Sequence, residues 1–241
     1  MSSVVDETAR PRWLATVQSS YIPWKGFFDL IRSADEFVLL DDVQFSRGSW
    51  RNRNRIKTQH GIKWLTIPVE ISGKFGQAIN ETKISDPRWV RKHWDTIRQC
   101  YATAPHFRAH KDWAADLYER ATSPYLSEIN YHFTRAICDL LGITTPITWS
   151  TDYQLAEGKN ERLISLCQKV DATHYLSGPA AKDYIDEEQF AAAGITVKFA
   201  DYSGYPAYEQ LYPPFDHYVS ILDLIFNVGS HAALDYMKLL R

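Results

Sequence analysis

Cysteine is scarce in this chain and shows no organisation. Cys100, Cys138 and Cys167 are the three cysteines of 241 residues. They lie far apart in apolar, helix-like stretches, without a CxxC pair or a Cys/His spacing that would hold a metal. A disulfide framework and a structural zinc site are therefore not expected, and the three read as reduced core residues. Long apolar runs are missing too. None approaches the ~20 residues that cross a bilayer, and the stretch from Met1 to Arg12 lacks the apolar segment of a signal peptide. A cytoplasmic protein is expected, with residues 1–12 a flexible N-terminal tail. Neither sign of charge dominates: 27 Lys and Arg stand against 29 Asp and Glu, for a formal net charge of −2. A broad nucleic-acid surface needs a domain-wide basic face, which this balance does not supply. HExxH, GxSxG, Walker and Rossmann fingerprints are absent, as is a cysteine with an evident histidine partner. No metal ligand and no covalent nucleophile is assigned. No internal repeat or low-complexity tract is present.

With 45% hydrophobic and 14% aromatic residues, the chain can bury a substantial core. Trp13 to Val17 reads as a buried strand ending at Gln18, Ser19 and Ser20. Pro23 suits the first turn of a helix carrying Phe27, Phe28, Leu30 and Ile31. Glu36 to Leu40 then completes a βαβ unit. Residues 55–58 and 62–69 read as a hairpin turning at Gly61, and residues 70–86 as a loop able to cover a site. Two amphipathic helices follow, one through Trp89, Val90, His93, Ile97 and Tyr101, the other through Tyr125, Ile129, Phe133, Ile137 and Leu141. Strand and helix alternate again from Ile147 to Ala200, and a Pro- and Tyr-rich stretch from Tyr202 to Tyr218 leads into a last helical pair. The fold class expected is α/β, a Rossmann-like, mostly parallel sheet with a β-hairpin insertion and a central helical segment. One domain is expected over residues 13–230, with the helical insert near 87–142.

The strongest chemical signal is the run of Arg51, Asn52, Arg53, Asn54, Arg55 and Lys57, close behind an apolar strand that ends in Asp41 and Asp42. Cations this dense repel one another, and phosphate is the commonest reason to gather them; a solvated charge run is the alternative. If the run enters the hairpin as a strand, Arg51, Arg53 and Arg55 share one face and Asn52 and Asn54 the other. Asp41 and Asp42 sit where ligands collect in such sheets, although a strand-ending aspartate also caps helices and starts turns. Ser177 and Gly178 end another strand and could bring backbone amides to an anion, or simply form a tight turn. Ser220, Asp223 and Asn227 make a polar stripe on an otherwise apolar helix, a stripe that needs partners. His93 lies on an apolar helix face, as a catalyst or as a hydrogen-bonded core residue. Tyr21, Trp24 and Trp50 could stack on a sugar or base, or pack in the core.

These residues together resemble the WbqC-like family. The likeness runs through Gln18, Tyr21, Pro23, Trp24, Gly26, Phe27 and Phe28. It continues through Leu40 to Ser46, Trp50 to Lys57, Trp64 to Val69, Tyr175 to Gly178 and Ser220 to Asp223, covering roughly residues 13–230. Ser19 and Val17 depart from it, standing where the family commonly has Pro and His. The resemblance implies a place in bacterial surface-polysaccharide (O-antigen) synthesis and transfer of an acyl or aminoacyl group, possibly glycyl, to the amine of a nucleotide-linked amino sugar. The donor stays open among acyl-CoA, aminoacyl-adenylate and aminoacyl-tRNA. A nucleotidyl-transfer or ATP- and Mg²⁺-using ligase, and a non-catalytic sugar-nucleotide module, are the alternatives. The partner expected is a nucleotide-linked sugar or another phosphate-bearing small molecule. Catalytic candidates are Asp41, Asp42, His93 and Asp223. Substrate-binding candidates are Gln18, Tyr21, Trp24, Gln44, Arg51, Asn52, Arg53, Asn54, Arg55, Ser177, Gly178 and Asn227, with Gln18 and Tyr21 orienting the donor.

Overall fold

The computed structural model describes residues 10–241, so the greater part of the expected N-terminal tail lies outside the described residues. In chain order the elements are β1 (Trp13–Val17), α1 (Lys25–Arg32), β2 (Glu36–Leu39), β3 (Arg53–Thr58), β4 (Gly61–Thr66), α2 (Trp89–Tyr101) and α3 (Phe107–Glu119). They continue as α4 (Leu126–Leu141), β5 (Ile147–Trp149), α5 (Lys159–Lys169), β6 (His174–Ser177), α6 (Glu187–Ala192), β7 (Thr196–Phe199) and α7 (Ile221–Val228). Five strands form one sheet in the order β5-β2-β1-β6-β7, every pairing parallel. The hairpin β3–β4 forms a separate antiparallel sheet. This is the expected Rossmann-like α/β fold.

Period-two alternation explains why both sheet faces are covered. Leu14, Val38 and Tyr175 point into one core with Leu163, Leu166 and Cys167 of α5 and Phe190 of α6. Ala15, Phe37, Leu39 and Leu176 point into the other, with α1, the α2–α4 insert and α7. Strands buried on both faces read as near-continuous apolar runs. Helix α4 shows how the insert is fastened. Leu126, Ile129, Phe133, Ile137 and Leu141 are all buried, and Gly142 ends the helix at φ +70° with its N–H on the Asp139 carbonyl. Truncating Phe133 to alanine would cost about 3–5 kcal/mol.

Three details differ from the sequence expectation. Helix α1 begins at Lys25, leaving Pro23 in the loop before it. Helix α3 lies inside the helical insert expected near 87–142 but is a third helix beside the two read there; its buried face is Phe107, His110, Ala114, Leu117 and Tyr118, and the two polar members weaken the apolar period. The last helical pair is one helix and a short 3-10 turn, Ala233–Tyr236, because Gly229 at φ +85° breaks the chain direction after α7. Arg12 at the edge of the described chain is held in place, donating to the Val170 carbonyl at 2.6 Å and pairing with Glu36 at 3.0 Å.

Candidate functional site

The strand order reverses between β1 and β6, and doubly wound sheets hold their ligands outside the carboxyl ends of the strands at such a switch point. The loop leaving β1 there, Gln18 to Pro23, is clamped from several sides. Arg51 Nη1 donates to the carbonyls of Gln18 (2.6 Å) and Ser19 (3.1 Å). Asp41 accepts from the Ser19 N–H at 2.8 Å, and Asn130 Nδ2 donates to Ser19 Oγ at 2.9 Å. Asn54 Nδ2 donates to the carbonyls of Tyr21 and Ile22. Ile22 itself sits at φ +36°, a conformation in which a β-branched residue costs on the order of 1–3 kcal/mol. Strain of this kind persists only where surrounding bonds over-determine the backbone, as they do here.

Beside this loop opens a pocket of about 250 Å³. Val17 and Ser20 come from the end of β1 and the loop after it, Trp24, Phe27 and Leu30 from the start and body of α1, Trp50 and Arg51 from the approach to the hairpin, Asn54 from β3, and Tyr202 and Tyr218 from the segment after β7. The aromatic wall is closely packed: Trp24 meets Tyr202 edge to face at 5.1 Å and Tyr218 at a 42° tilt at 5.3 Å, centroid to centroid. Gly26 is what lets Trp24 fold back here, since a Cβ at that position would collide with the indole.

The arginine run does not point one way. Arg51 is turned inward; burial lowers its pKa to about 10 against the opposing pull of Asp41, which leaves it a cation at neutral pH. Asn52 and Asn54 lie on the buried side, Asn52 Nδ2 donating to the Ile67 carbonyl at 2.9 Å. Arg53 and Arg55 lie on the outer side of the hairpin with Trp64. Arg55 donates to the Tyr218 carbonyl at 3.0 and 2.8 Å and faces Asp216 at 3.6 Å. The expected three-guanidinium face is thus a pair, because Arg51 precedes β3 and follows the loop it clamps.

The four candidate acids and bases are each engaged within the protein. Asp41 is buried; burial raises its pKa, offset in part by bonds from Ser127 and Ser19 and by the charge of Arg51. Asp42 is partly buried, which works against ionisation, yet Arg162 and Ser150 outweigh it and hold the carboxyl below the usual range. Asp223 is fully buried, with its pKa raised by burial. It accepts from Tyr101 and Tyr208 at 2.8 Å and from Gln210 at 2.9 Å. His93 is pushed down to about 4 by burial, and its Nδ1 meets the Tyr21 hydroxyl at 2.9 Å, which also bonds Tyr118 at 2.6 Å. Tyr21 is completely buried in that network, so it packs in the core and does not line the pocket.

The remaining candidates are dispersed. Asn227 Oδ1 accepts from the Leu211 N–H at 3.1 Å, tying α7 to the Tyr202–Tyr218 segment. Ser177 is buried at the end of β6, and Gly178 precedes a short 3-10 turn, Pro179–Asp183, so no α-helix terminus faces a ligand there. Gln44 is exposed and bridges to Ala78. The 70–86 loop pairs back through Val69 and Ile84 and contributes nothing to the pocket. Among the described residues no group of three or more His, Cys, Asp or Glu side chains is gathered as metal ligands would be.

Two residues that the sequence reading passed over organise the pocket's far wall. Asp29 is fully buried and accepts from Tyr205 (2.7 Å) and from the N–H groups of Lys238 (2.8 Å) and Leu239 (3.1 Å), so it ties α1 to the segment that follows the 3-10 turn at Ala233–Tyr236. Lys25, also buried, donates to the Pro206 carbonyl at 2.8 Å; burial lowers its pKa to about 8, with Asp29 opposing. A signal was available: each is a charge within a helix whose neighbours are Phe27, Phe28, Leu30 and Ile31.

Sheet order and pocket position define a Rossmann-like α/β protein with a crevice at its switch point. The model of the WbqC-like protein family matches residues 18–234, and the chain belongs to that family. It is 48% identical over 228 residues to the uncharacterized protein Rv1507c of Mycobacterium tuberculosis, across 95% of this chain and 98% of that relative. No solved structure matches the chain. Among the described residues no helix is long and apolar enough to cross a membrane.

Proposed function

We propose that this member of the WbqC-like family is a cytoplasmic transferase of surface-polysaccharide synthesis that moves an acyl or aminoacyl group, glycyl among them, to the amine of a nucleotide-linked amino sugar. One observation carries the proposal: an aromatic-walled pocket of about 250 Å³ at the switch point of a parallel sheet, bounded by a strained, over-determined loop and adjoined by Arg53 and Arg55. Aromatic walls suit the apolar faces of a sugar ring, and guanidinium groups suit its phosphates. In the transfer, the amine lone pair attacks the carbonyl carbon of a donor activated as a thioester, ester or acyl phosphate. The C–N bond forms, the bond from that carbon to the donor heteroatom breaks, and the electron pair leaves with the donor. The nitrogen releases one proton to water or to the departing group. Asp41 contributes by holding the Gln18–Pro23 loop, and rate enhancement comes from orientation of the two reactants.

One observation favours the non-catalytic module instead: the pocket wall contains no Asp, Glu, His or Lys. Incubating the protein with UDP- or dTDP-linked amino sugars and each donor class, with mass spectrometry of the sugar nucleotide, decides between them. A mass increase of one acyl group supports the transferase. Saturable binding with no acylation by any donor sinks it in favour of the module, and pyrophosphate release dependent on ATP and Mg²⁺ sinks it in favour of the ligase.

A further inference from the structure

From Val43 to Val69 the chain carries six cations, Arg47, Arg51, Arg53, Arg55, Lys57 and Lys63, and no Asp or Glu, in a protein of net charge −2. Four of the six are used internally: Arg47 on the Ile71 carbonyl, Arg51 on the first loop, Arg55 on the Tyr218 carbonyl and Asp216, and Lys57 on the Pro214 carbonyl. On the outer side of the hairpin, Arg53 and Arg55 flank two tryptophans that water still reaches: Trp50 is 42% and Trp64 41% exposed. The indoles lie 5.2 Å apart at 38°. The Arg53 guanidinium sits 4.3 Å from the Trp64 ring centre, and that of Arg55 5.5 Å from Trp50. Arg55 is already held by Tyr218 and Asp216. The Arg53 side chain has no hydrogen-bond or ion-pair partner among the described residues, and its Nε is buried without one.

Half-exposed indoles beside a guanidinium that lacks an anion form a surface completed by a flat, π-rich anion. A dry apolar partner would cover the tryptophans but strand Arg53, and a stranded buried charge is strongly unfavourable. A nucleotide satisfies both, because its base stacks on aromatic faces and its phosphate oxygens accept from arginine. Trp50 belongs also to the pocket wall, so the two surfaces are continuous.

We infer, resting on the transferase reading above, that the Trp50–Trp64 platform with Arg53 receives the nucleoside diphosphate portion of the substrate. The base stacks on the indoles, the phosphates lie on Arg53, and the sugar extends into the pocket. Ring faces read no base edge, so the platform tolerates different bases.

Titration of the full chain with UDP, dTDP, GDP and ADP, alongside pyrophosphate and a base-free amino-sugar 1-phosphate, tests this by tryptophan fluorescence and calorimetry. The four nucleotides should quench the emission, bind within about tenfold of one another, and bind at least about tenfold tighter than pyrophosphate or the sugar phosphate. Trp64→Ala and Arg53→Gln should each weaken nucleotide binding by about tenfold or more, while Trp64→Phe keeps most of it and Arg47→Ala all of it. Melting temperatures confirm that each variant is folded, and Arg53→Gln carries the test if Trp64→Ala is not. Pyrophosphate binding as tightly as the nucleotides, or undiminished binding in folded Trp64→Ala and Arg53→Gln, overturns the platform. Equal acylation of sugar 1-phosphate and sugar nucleotide would overturn the platform and leave the transferase. Nucleotide binding as described, without turnover, would leave the platform and remove the transferase.

Discussion

Asn54 donates its side-chain amide to the carbonyl oxygens of both Tyr21 (3.0 Å) and Ile22 (2.9 Å), bridging the hairpin to the strained loop that leaves the first strand. Asn54 is buried, so removing its amide leaves two carbonyls in a dry place, at about 1–3 kcal/mol each before relaxation. Asn54→Ala should lower the free energy of unfolding by about 2–4 kcal/mol in urea, and should weaken ligand binding even in protein that remains folded. A loss below about 1 kcal/mol would show that the loop holds its shape without this bridge.

Gly26→Ala separates the pocket from the core. Alanine favours the helix by up to about 1 kcal/mol, but its methyl group would displace the Trp24 indole. The variant should therefore fold with a melting temperature near that of the parent and bind any pocket ligand at least about tenfold more weakly, with altered Trp24 fluorescence. Unchanged affinity would remove Trp24 from the site.

Asp223 joins α2, α7 and the Tyr202–Tyr218 segment through Tyr101, Tyr208 and Gln210. Asp223→Ala strands the buried Tyr101 and Tyr208 hydroxyls, while Gln210 keeps the Asp216 carbonyl, and should destabilise the protein by about 3–5 kcal/mol. Limited proteolysis should then cut first within residues 202–218. Cutting elsewhere first would mean that the segment is held mainly by its aromatic packing.

His93 sets one acid limit on stability. Its folded pKa, near 4 against an ordinary 6.5, is depressed by burial. Between those values the unfolded chain binds a proton that the folded one does not, so stability falls as pH drops through that window. The raised pKa values of buried Asp41 and Asp223 act with the opposite sign, so the parent must be compared with His93→Gln. The stability difference between the two should shrink by about 2 kcal/mol from pH 7 to pH 5. A difference independent of pH would show that His93 ionises as readily in the folded state.

Much of the framework follows from local pattern. The apolar runs at Trp13–Val17 and Glu36–Leu39 had to be strands buried on both faces, and the three- and four-residue spacing through Phe133 and Ile137 had to be a helix. Two strand-like runs turning at Gly61 marked the hairpin, and the ordered motifs identified the family. These are properties of neighbouring residues, and neighbours are what a linear pattern contains. The direction of each arginine was not among them. Arg51 and Arg53 are two residues apart, yet one clamps the Gln18 and Ser19 carbonyls while the other lies over Trp64, because the strand begins only at Arg53 and alternation applies only inside a strand. Nor could the chain order reveal that Asp41, Asp42, Asp223 and His93 are each engaged, since Ser127, Arg162, Tyr208 and Tyr21 reach them across 86, 120, 15 and 72 residues. Whether a polar side chain is free for a ligand depends on partners brought together by packing, and so the pocket, its aromatic wall and the unpaired Arg53 exist only once the chain is folded.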